Sequence, residues 1–200
     1  MKFLKNLKKK DLSGKTCLLR VDFSVTDEEL KEMRGKKNVP LRIERALPTI
    51  RFLLKNGVNV VILSHRGRPK PVRRANSEFR IKNSEFSLKP FAGILSRLLN
   101  KPVKFIAFGA KIPASIDGNI VLLENLRFSP GEEENDTKFA KTLASLGDFY
   151  VNDAFSVSHR ANATIEAITK FIPSYAGFLM EEELKNLDRV MNPFDKTQGL

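Results

Sequence analysis

The chain has 200 residues, of which 42% are hydrophobic and 29% are charged, and its formal net charge at pH 7 is +12. That length fits one domain, and the composition excludes a disordered chain. The single cysteine, Cys17, excludes an intramolecular disulfide and a zinc site built from several cysteines. Because no apolar run approaches the ~20 residues that span a bilayer, and no apolar core follows the basic N-terminus, we expect a cytoplasmic protein without a membrane partner. The excess positive charge indicates an anionic partner.

Short β-type runs alternate with runs of helical period, which predicts a parallel α/β fold. Strands are predicted, in chain order, at 16–23, 58–64, 103–107, 119–123 and 149–153. The second of these runs is apolar and β-branched throughout, as is typical of a strand buried on both faces. Cys17 lies inside the first apolar run and is therefore expected in the core.

Helices are predicted at 42–56, from Ser87 to about residue 99, at 136–146 and at 178–190, from apolar residues at 3.6 spacing. Gly57 is placed to end the first helix in a left-handed conformation, and Ser87 is placed to cap the second. Two long basic loops are predicted at 25–39 and 66–86. The acidic run 132–134 is expected to be solvated and to add negative charge at a helix N-terminus.

Polar side chains follow the carboxyl ends of four predicted strands. They are Asp22 and Ser24; His65, Arg66 and Arg68; Glu124, Asn125 and Arg127; and Asn152, Asp153, His159 and Arg160. Ligands of open α/β sheets bind outside these ends, and arginines that converge there indicate a phosphate or carboxylate ligand. Each residue taken alone has an ordinary structural interpretation: an arginine in a solvated loop, an ion pair of Asp22 with Arg20, or His65 as a loop histidine.

Several familiar site motifs are absent from the sequence. It contains no nucleotide-binding phosphate loop, no dinucleotide fingerprint and no nucleophile elbow. The two histidines lack the spacing of a paired metal site, so no metal site is predicted.

Five motifs, in order along the chain, closely resemble those of the phosphoglycerate kinase family. They are RVDF (20–23), SHRGRP (64–69), LLENLRF (122–128), YVNDAFSVSHRA (150–161) and GFLMEEEL (177–184). The resemblance covers nearly the whole chain but only the amino-terminal half of that two-domain family. It implies a single domain with a three-layer α/β/α, doubly wound, Rossmann-like parallel sheet. Residues 1–177 would form the substrate-binding domain, residues 178–200 would form the interdomain helix and the start of the hinge, and the carboxyl-terminal nucleotide domain would be absent from this chain.

The resemblance also implies a substrate site. Its predicted members are Asp22, Ser24, Arg42, His65, Arg66, Gly67, Arg68, Arg127 and Arg160, with His159 in a supporting position. Asp22 would contact the substrate hydroxyl. Arg68, Arg127 and Arg160 would hold its phosphate, and His65 would line the same site. Arg42 would contact the substrate carboxylate and stabilise the transferring phosphoryl group as the catalytic residue, with Arg45 as the alternative.

The sequence departs from the family pattern in the loop that separates the first strand from the first long helix, which is a few residues longer than usual. Ser24 replaces the usual Asn, Thr26 replaces Pro, Arg66 replaces Leu and Asn162 replaces a second histidine. None of these changes removes a predicted phosphate-binding arginine.

The activity implied by the resemblance is reversible phosphoryl transfer between ATP/ADP and 3-phosphoglycerate/1,3-bisphosphoglycerate in glycolysis. Mg-ATP and ADP would bind the missing domain, so no cofactor is expected on this chain, and the isolated chain is expected to bind substrate without turnover. Members of the family are typically monomeric. The alternatives are a natural half-length pseudoenzyme that binds a metabolite, and a basic nucleic-acid-binding domain. No specific nucleic-acid partner is expected, because the chain has no Trp, two Tyr and no nucleic-acid-binding motif.

Overall fold

The computed structural model describes residues 1–35, 38–69, 84–108, 112 and 115–192. Its strands are β1 (Thr16–Arg20), β2 (Asn59–Leu63), β3 (Lys104–Ile106), β4 (Ile120–Leu123), β5 (Phe149–Asn152) and β6 (Ser174–Ala176). The α-helices within those residues are α1 (Lys9–Leu12), α2 (Asp27–Arg34), α3 (Leu41–Glu44), α4 (Leu47–Lys55), α5 (Lys89–Leu99), α6 (Pro130–Glu133), α7 (Thr137–Ala144) and α8 (Phe178–Met191). Short 3₁₀ helices lie at Leu4–Asn6, Ser84–Phe86, Leu126–Phe128, Phe155–Val157 and Ala167–Lys170.

The six strands form one parallel sheet in the order β3-β4-β2-β1-β5-β6. From β1 the chain builds one half of the sheet, and after β4 it crosses to β5 and β6 on the other side. The sheet is therefore doubly wound, and its direction of winding changes between β1 and β5. In such sheets the crevice for a ligand lies at the carboxyl ends of the strands beside this change. The predicted fold class is confirmed. The sixth strand, β6, was not predicted, because it is too short to show an apolar period.

Alternate residues of the strands pack into two buried clusters, one on each face of the sheet. Cys17 and Leu19 of β1 lie in the cluster that includes residues of α4 and α5. Leu18 lies in the opposite cluster, with residues of α7. The three-layer arrangement is thereby confirmed, as is the burial of Cys17. Because both faces of the sheet are covered, β2 is apolar and buried from Val60 to Leu63.

The prediction of a single helix at 42–56 is wrong. The chain forms two helices there, α3 and α4, with a break at Arg45 and Ala46. Pro48 lies in the first turn of α4, where its missing N–H costs nothing. In the interior of one long helix, its ring would clash with the carbonyl group four residues earlier.

The loop predicted at 25–39 is wrong in part, because it contains α2. The Thr26 hydroxyl accepts a hydrogen bond from the Glu29 amide at 3.2 Å, and the Glu29 carboxylate accepts one from the Thr26 amide at 2.7 Å. This reciprocal pair is a capping box, which starts the helix. Of the second predicted loop, residues 70–83 lie outside the described residues, and Ser84–Phe86 forms a 3₁₀ turn.

The remaining predicted helices are confirmed with shifted ends. Gly57 takes the left-handed φ of +74° predicted for it. The Ser87 hydroxyl accepts a hydrogen bond from the Lys89 amide at 3.2 Å at the start of α5. Asp136 accepts one from the Phe139 amide at 2.6 Å and so caps α7. None of the helices in the described residues has the length and apolar character needed to cross a membrane.

Candidate anion-binding site

The carboxyl end of β1 places Asp22 beside the segment that follows β5. Asp22 Oδ2 accepts a hydrogen bond from the Ser156 hydroxyl at 2.7 Å, and Asp22 Oδ1 accepts one from the Ser24 amide at 2.9 Å. Arg42 Nη1 lies 3.4 Å from Asp22 Oδ2 and donates to the Ser24 carbonyl oxygen at 2.8 Å. The ion pair of Asp22 with Arg20 considered from the sequence is therefore absent, because Arg42 pairs with Asp22 instead. These contacts bring three predicted site residues together.

The two arginines considered for the catalytic position have different surroundings. Arg45 is held by two carboxylates of α8, with Nη1 at 2.5 Å from Glu183 Oε1 and Nη2 at 3.3 Å from Glu182 Oε2. The Arg42 side chain is 46% exposed. Both arginines line the same cavity of about 380 Å³ together with Asp22, but the Arg45 side chain is only 28% exposed. Arg42 is therefore the more available of the two for an anion.

The carboxyl ends of β2 and β4 bring Gly67 and Arg127 together. Arg127 Nη1 donates to the Gly67 carbonyl oxygen at 2.7 Å, and Arg127 Nε lies 3.2 Å from Glu133 Oε1. Gly67 has a φ of +59°, and a Cβ there would come within 2.5 Å of the Phe86 ring. Both the backbone conformation and the close approach of Phe86 therefore require glycine. The next residue, Arg68, is exposed.

His65 lies where four positive charges act together. Its side chain is buried, and burial lowers the pKa of His65 to about 2, with the four charges acting in the same direction. The charges belong to Arg20, Arg127, Arg160 and Arg42. Arg20 Nη2 lies 3.1 Å from His65 Nδ1, and Arg42, Arg127 and Arg160 act on the imidazole through their charges. The ring is therefore neutral at physiological pH.

Two predicted site residues lie differently. The Arg66 side chain is buried and turned toward the start of α2, where it pairs with Asp27 and donates to the Glu85 and Val25 carbonyl oxygens. His159 is exposed next to Arg160. Arg66 thus connects loops beside the site.

Behind His65 lies a buried network of four side chains, Arg20, His65, Glu132 and Thr164. Arg20 Nη2 lies 3.1 Å from His65 Nδ1, and Arg20 Nε donates to the Thr164 hydroxyl at 3.1 Å. The Thr164 hydroxyl and amide donate to the two oxygens of Glu132, at 2.6 and 3.1 Å. Glu132 Oε1 is also 3.9 Å from Arg20 Nη2.

The prediction that the acidic run 132–134 is solvated is wrong for Glu132, which is 0% exposed. A buried guanidinium needs a negative charge nearby, and Glu132 supplies it to Arg20. Burial raises the pKa of Glu132, while Arg20 and the hydrogen bonds from Thr164 oppose that rise. The sequence carried no signal that connects these residues, because they come from four separate segments.

Asp153, at the end of β5, connects the site to α8. Its Oδ1 accepts hydrogen bonds from the Leu179 and Met180 amides at 2.9 and 3.2 Å. Its Oδ2 is buried and has no hydrogen-bond partner among the described residues. Burial raises the pKa of Asp153 to about 6, and a hydrogen bond from Thr49 and those of the two amides oppose the rise. A Cβ on Gly177 would lie 2.2 Å from Asp153 Oδ1, so the carboxylate can reach the helix only past a glycine.

Within the described residues, no group of three or more His, Cys, Asp or Glu side chains is placed to hold a metal ion. The chemistry available at the strand ends is therefore that of guanidinium groups, one neutral imidazole, one carboxylate and small hydroxyl groups. Such a set fits an anionic ligand that also carries a hydroxyl group.

Comparison with known proteins agrees with this description. A family model described as phosphoglycerate kinase matches residues 7–198. The phosphoglycerate kinase of Wolbachia pipientis wMel is 48% identical over 190 residues, which are 91% of this chain and 44% of that protein. The structure of phosphoglycerate kinase from Coxiella burnetii superposes with a TM-score of 0.75 at 36% identity, covering 94% of this chain and 44% of the other. That from Pyrococcus horikoshii OT3 gives 0.72 at 29% identity, covering 98% and 46%. The chain thus spans about half the length of the relatives it matches.

Proposed function

The chain belongs to the phosphoglycerate kinase family, and from that premise we propose that it binds 3-phosphoglycerate at the carboxyl ends of its parallel strands. Residues 1–177 would then form the substrate-binding domain, and α8 would begin the connection to the remainder of a phosphoglycerate kinase. The nucleotide and its Mg²⁺ would bind in the part of the family's length that this chain does not span.

One observation carries the proposal: the strand ends hold Arg42 beside Asp22, Arg127 beside Gly67, and Arg20 against the buried His65. 3-Phosphoglycerate carries a phosphate and a carboxylate, both anionic at neutral pH. Guanidinium groups bind both through paired N–H donors, and a site with several of them compensates the charge of the whole ligand.

The contacts at each strand end support the assignment of roles. Arg68, Arg127 and Arg160 would hold the phosphate, with Gly67 positioning Arg127 through its carbonyl oxygen. Asp22 would accept a hydrogen bond from the substrate hydroxyl, since its carboxylate is already oriented by Ser24 and Ser156.

Arg42 would contact the substrate carboxylate, because Arg45 is engaged by α8. Ser24 supports Arg42 through its carbonyl oxygen, a contact that does not depend on the side chain. The replacement of the family's Asn by Ser24 therefore leaves the support of Arg42 in place.

The reaction needs no general base from this chain, because a carboxyl group with a pKa near ~4 is ionised at neutral pH. One carboxylate oxygen of 3-phosphoglycerate attacks the terminal phosphorus of ATP. A new P–O bond forms, the bond to ADP breaks, and 1,3-bisphosphoglycerate results. The contribution of Arg42 would be to orient the carboxylate and to stabilise negative charge in the transition state. Since the nucleotide would bind elsewhere, we expect the 200-residue chain to bind substrate without measurable turnover.

Calorimetric titration of the 200-residue chain with 3-phosphoglycerate tests the proposal. We expect saturable binding that weakens ~10–100-fold in Arg160→Ala, the range for losing hydrogen bonds to a charged group. The matched control is Arg51→Ala, which removes an equal charge from α4, where Arg51 donates to the Leu98 carbonyl oxygen.

Absence of saturable binding in the unmodified chain would contradict the proposal, and so would equal affinity in the Arg160 and Arg51 variants. Inorganic phosphate, titrated in parallel, separates a simple anion site from one built for the whole substrate. Phosphoryl transfer measured from ATP by this chain alone would contradict the assignment of the nucleotide to a missing region.

A further inference from the structure

The chemistry of the buried network determines which group donates and which accepts in each of its hydrogen bonds. A guanidinium group only donates hydrogen bonds, and it does not lose its proton in proteins. In the 3.1 Å contact between Arg20 Nη2 and His65 Nδ1, His65 must therefore accept. A neutral imidazole has one ring proton, so that proton lies on Nε2.

The orientation of Arg20 is fixed by bonds that have nothing to do with His65. Nη1 donates to the Val21 carbonyl oxygen at 2.5 Å, and Nε donates to the Thr164 hydroxyl at 3.1 Å. With two of its nitrogens held in this way, the plane of the guanidinium has little freedom to rotate. Arg20 is 2% exposed, so water does not compete for these bonds.

The direction of the Thr164 hydroxyl is fixed in turn by Glu132. Because that hydroxyl accepts from Arg20 Nε, its own proton is free to donate, and it donates to Glu132 Oε1 at 2.6 Å. The second oxygen of Glu132 accepts from the Thr164 amide at 3.1 Å. The Thr164 carbonyl oxygen accepts from the Tyr150 hydroxyl at 2.5 Å, which holds this segment against β5.

We propose that Arg20, Thr164 and Glu132 are positioning residues that hold His65 in its neutral Nε2–H form, as a hydrogen-bond donor to the anion at the strand ends. Among the described residues, the hydrogen bonds of His65 use the ring through Nδ1, which leaves Nε2–H for a ligand. The inference rests on the proposed function only for the identity of that anion.

A neutral donor suits this position. The charges of Arg42, Arg127 and Arg160 already lower the pKa of His65, in addition to burial and the charge of Arg20. A protonated His65 would add a further positive charge to a buried place and would leave Nδ1–H facing the guanidinium of Arg20. The neutral ring instead adds a hydrogen bond without added charge.

Nitrogen NMR of the histidine side chains tests the inference directly. Long-range ¹H–¹⁵N spectra distinguish a ring nitrogen that carries a proton from one that does not. The chain has two histidines, and the spectrum of a His159→Gln variant identifies the signals of His65. We expect His65 to show protonated Nε2 and unprotonated Nδ1 throughout pH 5–8. Protonated Nδ1 in the unmodified chain, alone or together with Nε2, would overturn the inference, and this measurement needs no variant in the network.

Two substitutions of Thr164 then test the role of the network. Thr164→Val keeps the shape of the side chain but removes the hydroxyl, so Arg20 loses one of its fixed partners. We expect His65 to populate both neutral tautomers, and the affinity for 3-phosphoglycerate to fall about tenfold. Thr164→Ser keeps the hydroxyl, and we expect it to retain both the single tautomer and the affinity. Circular dichroism establishes that each variant is folded.

A folded Thr164→Val variant that retains only the Nε2–H tautomer would refute the positioning role. The NMR and the titration also separate this inference from the proposed function. If the tautomer is as expected but no 3-phosphoglycerate binds, the proposed function fails and the network stands. If substrate binds while His65 carries its proton on Nδ1, the network fails and the proposed function stands.

Discussion

The candidate site has two parts that differ in how their charges are held. The buried network of Arg20, His65, Glu132 and Thr164 has its polar groups directed at one another, and no member of it is more than 3% exposed. The outer arginines (Arg42, Arg68 and Arg160) lie at the opening of the site, and Arg42 is 46% exposed. In the buried network a lost partner leaves an unpaired charge in the interior, whereas at the opening water takes its place. Removing a charged partner in the first part should therefore act mainly on folding, and removing an outer arginine should act on binding.

The largest effect is expected from Glu132→Ala, which leaves the buried guanidinium of Arg20 without its counter-charge. Removing one partner of a buried ion pair costs ~3–5 kcal/mol, so the free energy of unfolding in urea should fall by that amount. Glu134→Ala, an exposed residue of the same acidic run, is the control and should change stability by less than ~0.5 kcal/mol. Equal stability of the two variants would show that the buried network is no more sensitive to the loss of a charge than the exposed surface is.

The next effect is expected at the opening of the site. Arg42→Ala should lower the affinity for 3-phosphoglycerate by ~10–100-fold and leave the urea midpoint nearly unchanged, because the Arg42 side chain is 46% exposed and Asp22 keeps its hydrogen bonds from Ser24 and Ser156. Arg45→Ala should do the reverse, weakening the attachment of α8 while the affinity stays within a few-fold of the unmodified chain. Calorimetry and urea unfolding on both variants check this, and a larger binding loss in Arg45→Ala would make Arg45 the ligand.

The division between the outer residues and the buried network also separates what the sequence could predict from what it could not. The apolar period placed five strands, and the rule that ligands bind at the carboxyl ends of parallel strands placed Asp22, His65 and Arg127 at one edge. The family motifs added Arg42 and gave each residue an expected role. Asp22, His65 and Arg127 follow their strands within a few residues, so the local sequence pattern is enough to locate them.

The buried network could not be predicted in this way. Glu132 lies in a run of three acidic residues, which is typical of a solvated surface, and only its position opposite Arg20 explains its burial. Thr164 has no pattern around it that marks a buried hydroxyl. Two other wrong predictions, the loop at 25–39 and the single helix at 42–56, could have been avoided. The capping box of Thr26 and Glu29 and the position of Pro48 were both visible in the sequence.

A second buried acid, Asp153, extends the comparison, because no salt bridge joins it to a cation in the part of the chain that the structure describes. Asp153 is 0% exposed, as Glu132 is, but its Oδ1 is satisfied by the amides of α8 and its Oδ2 has no partner among the described residues. The pKa of Asp153 is raised by burial to about 6 from its usual 3.8. The folded state therefore binds a proton more tightly than the unfolded state does. The stability contributed by this proton is fully present below pH 4 and is lost as the pH rises through 6.

Asp153→Asn measures that contribution, because the amide resembles the protonated acid and does not titrate. The unfolding free energy of the unmodified chain minus that of the variant should increase by ~1 kcal/mol between pH 7 and pH 5. Other titrating groups cancel in this difference, and the exposed Asp117→Asn is the matched control. If the difference is instead constant or decreases toward pH 5, the ionised carboxylate is stabilised by the α8 amides more than burial destabilises it. A buried acid in this chain would then be supported by helix amides as effectively as Glu132 is by a guanidinium.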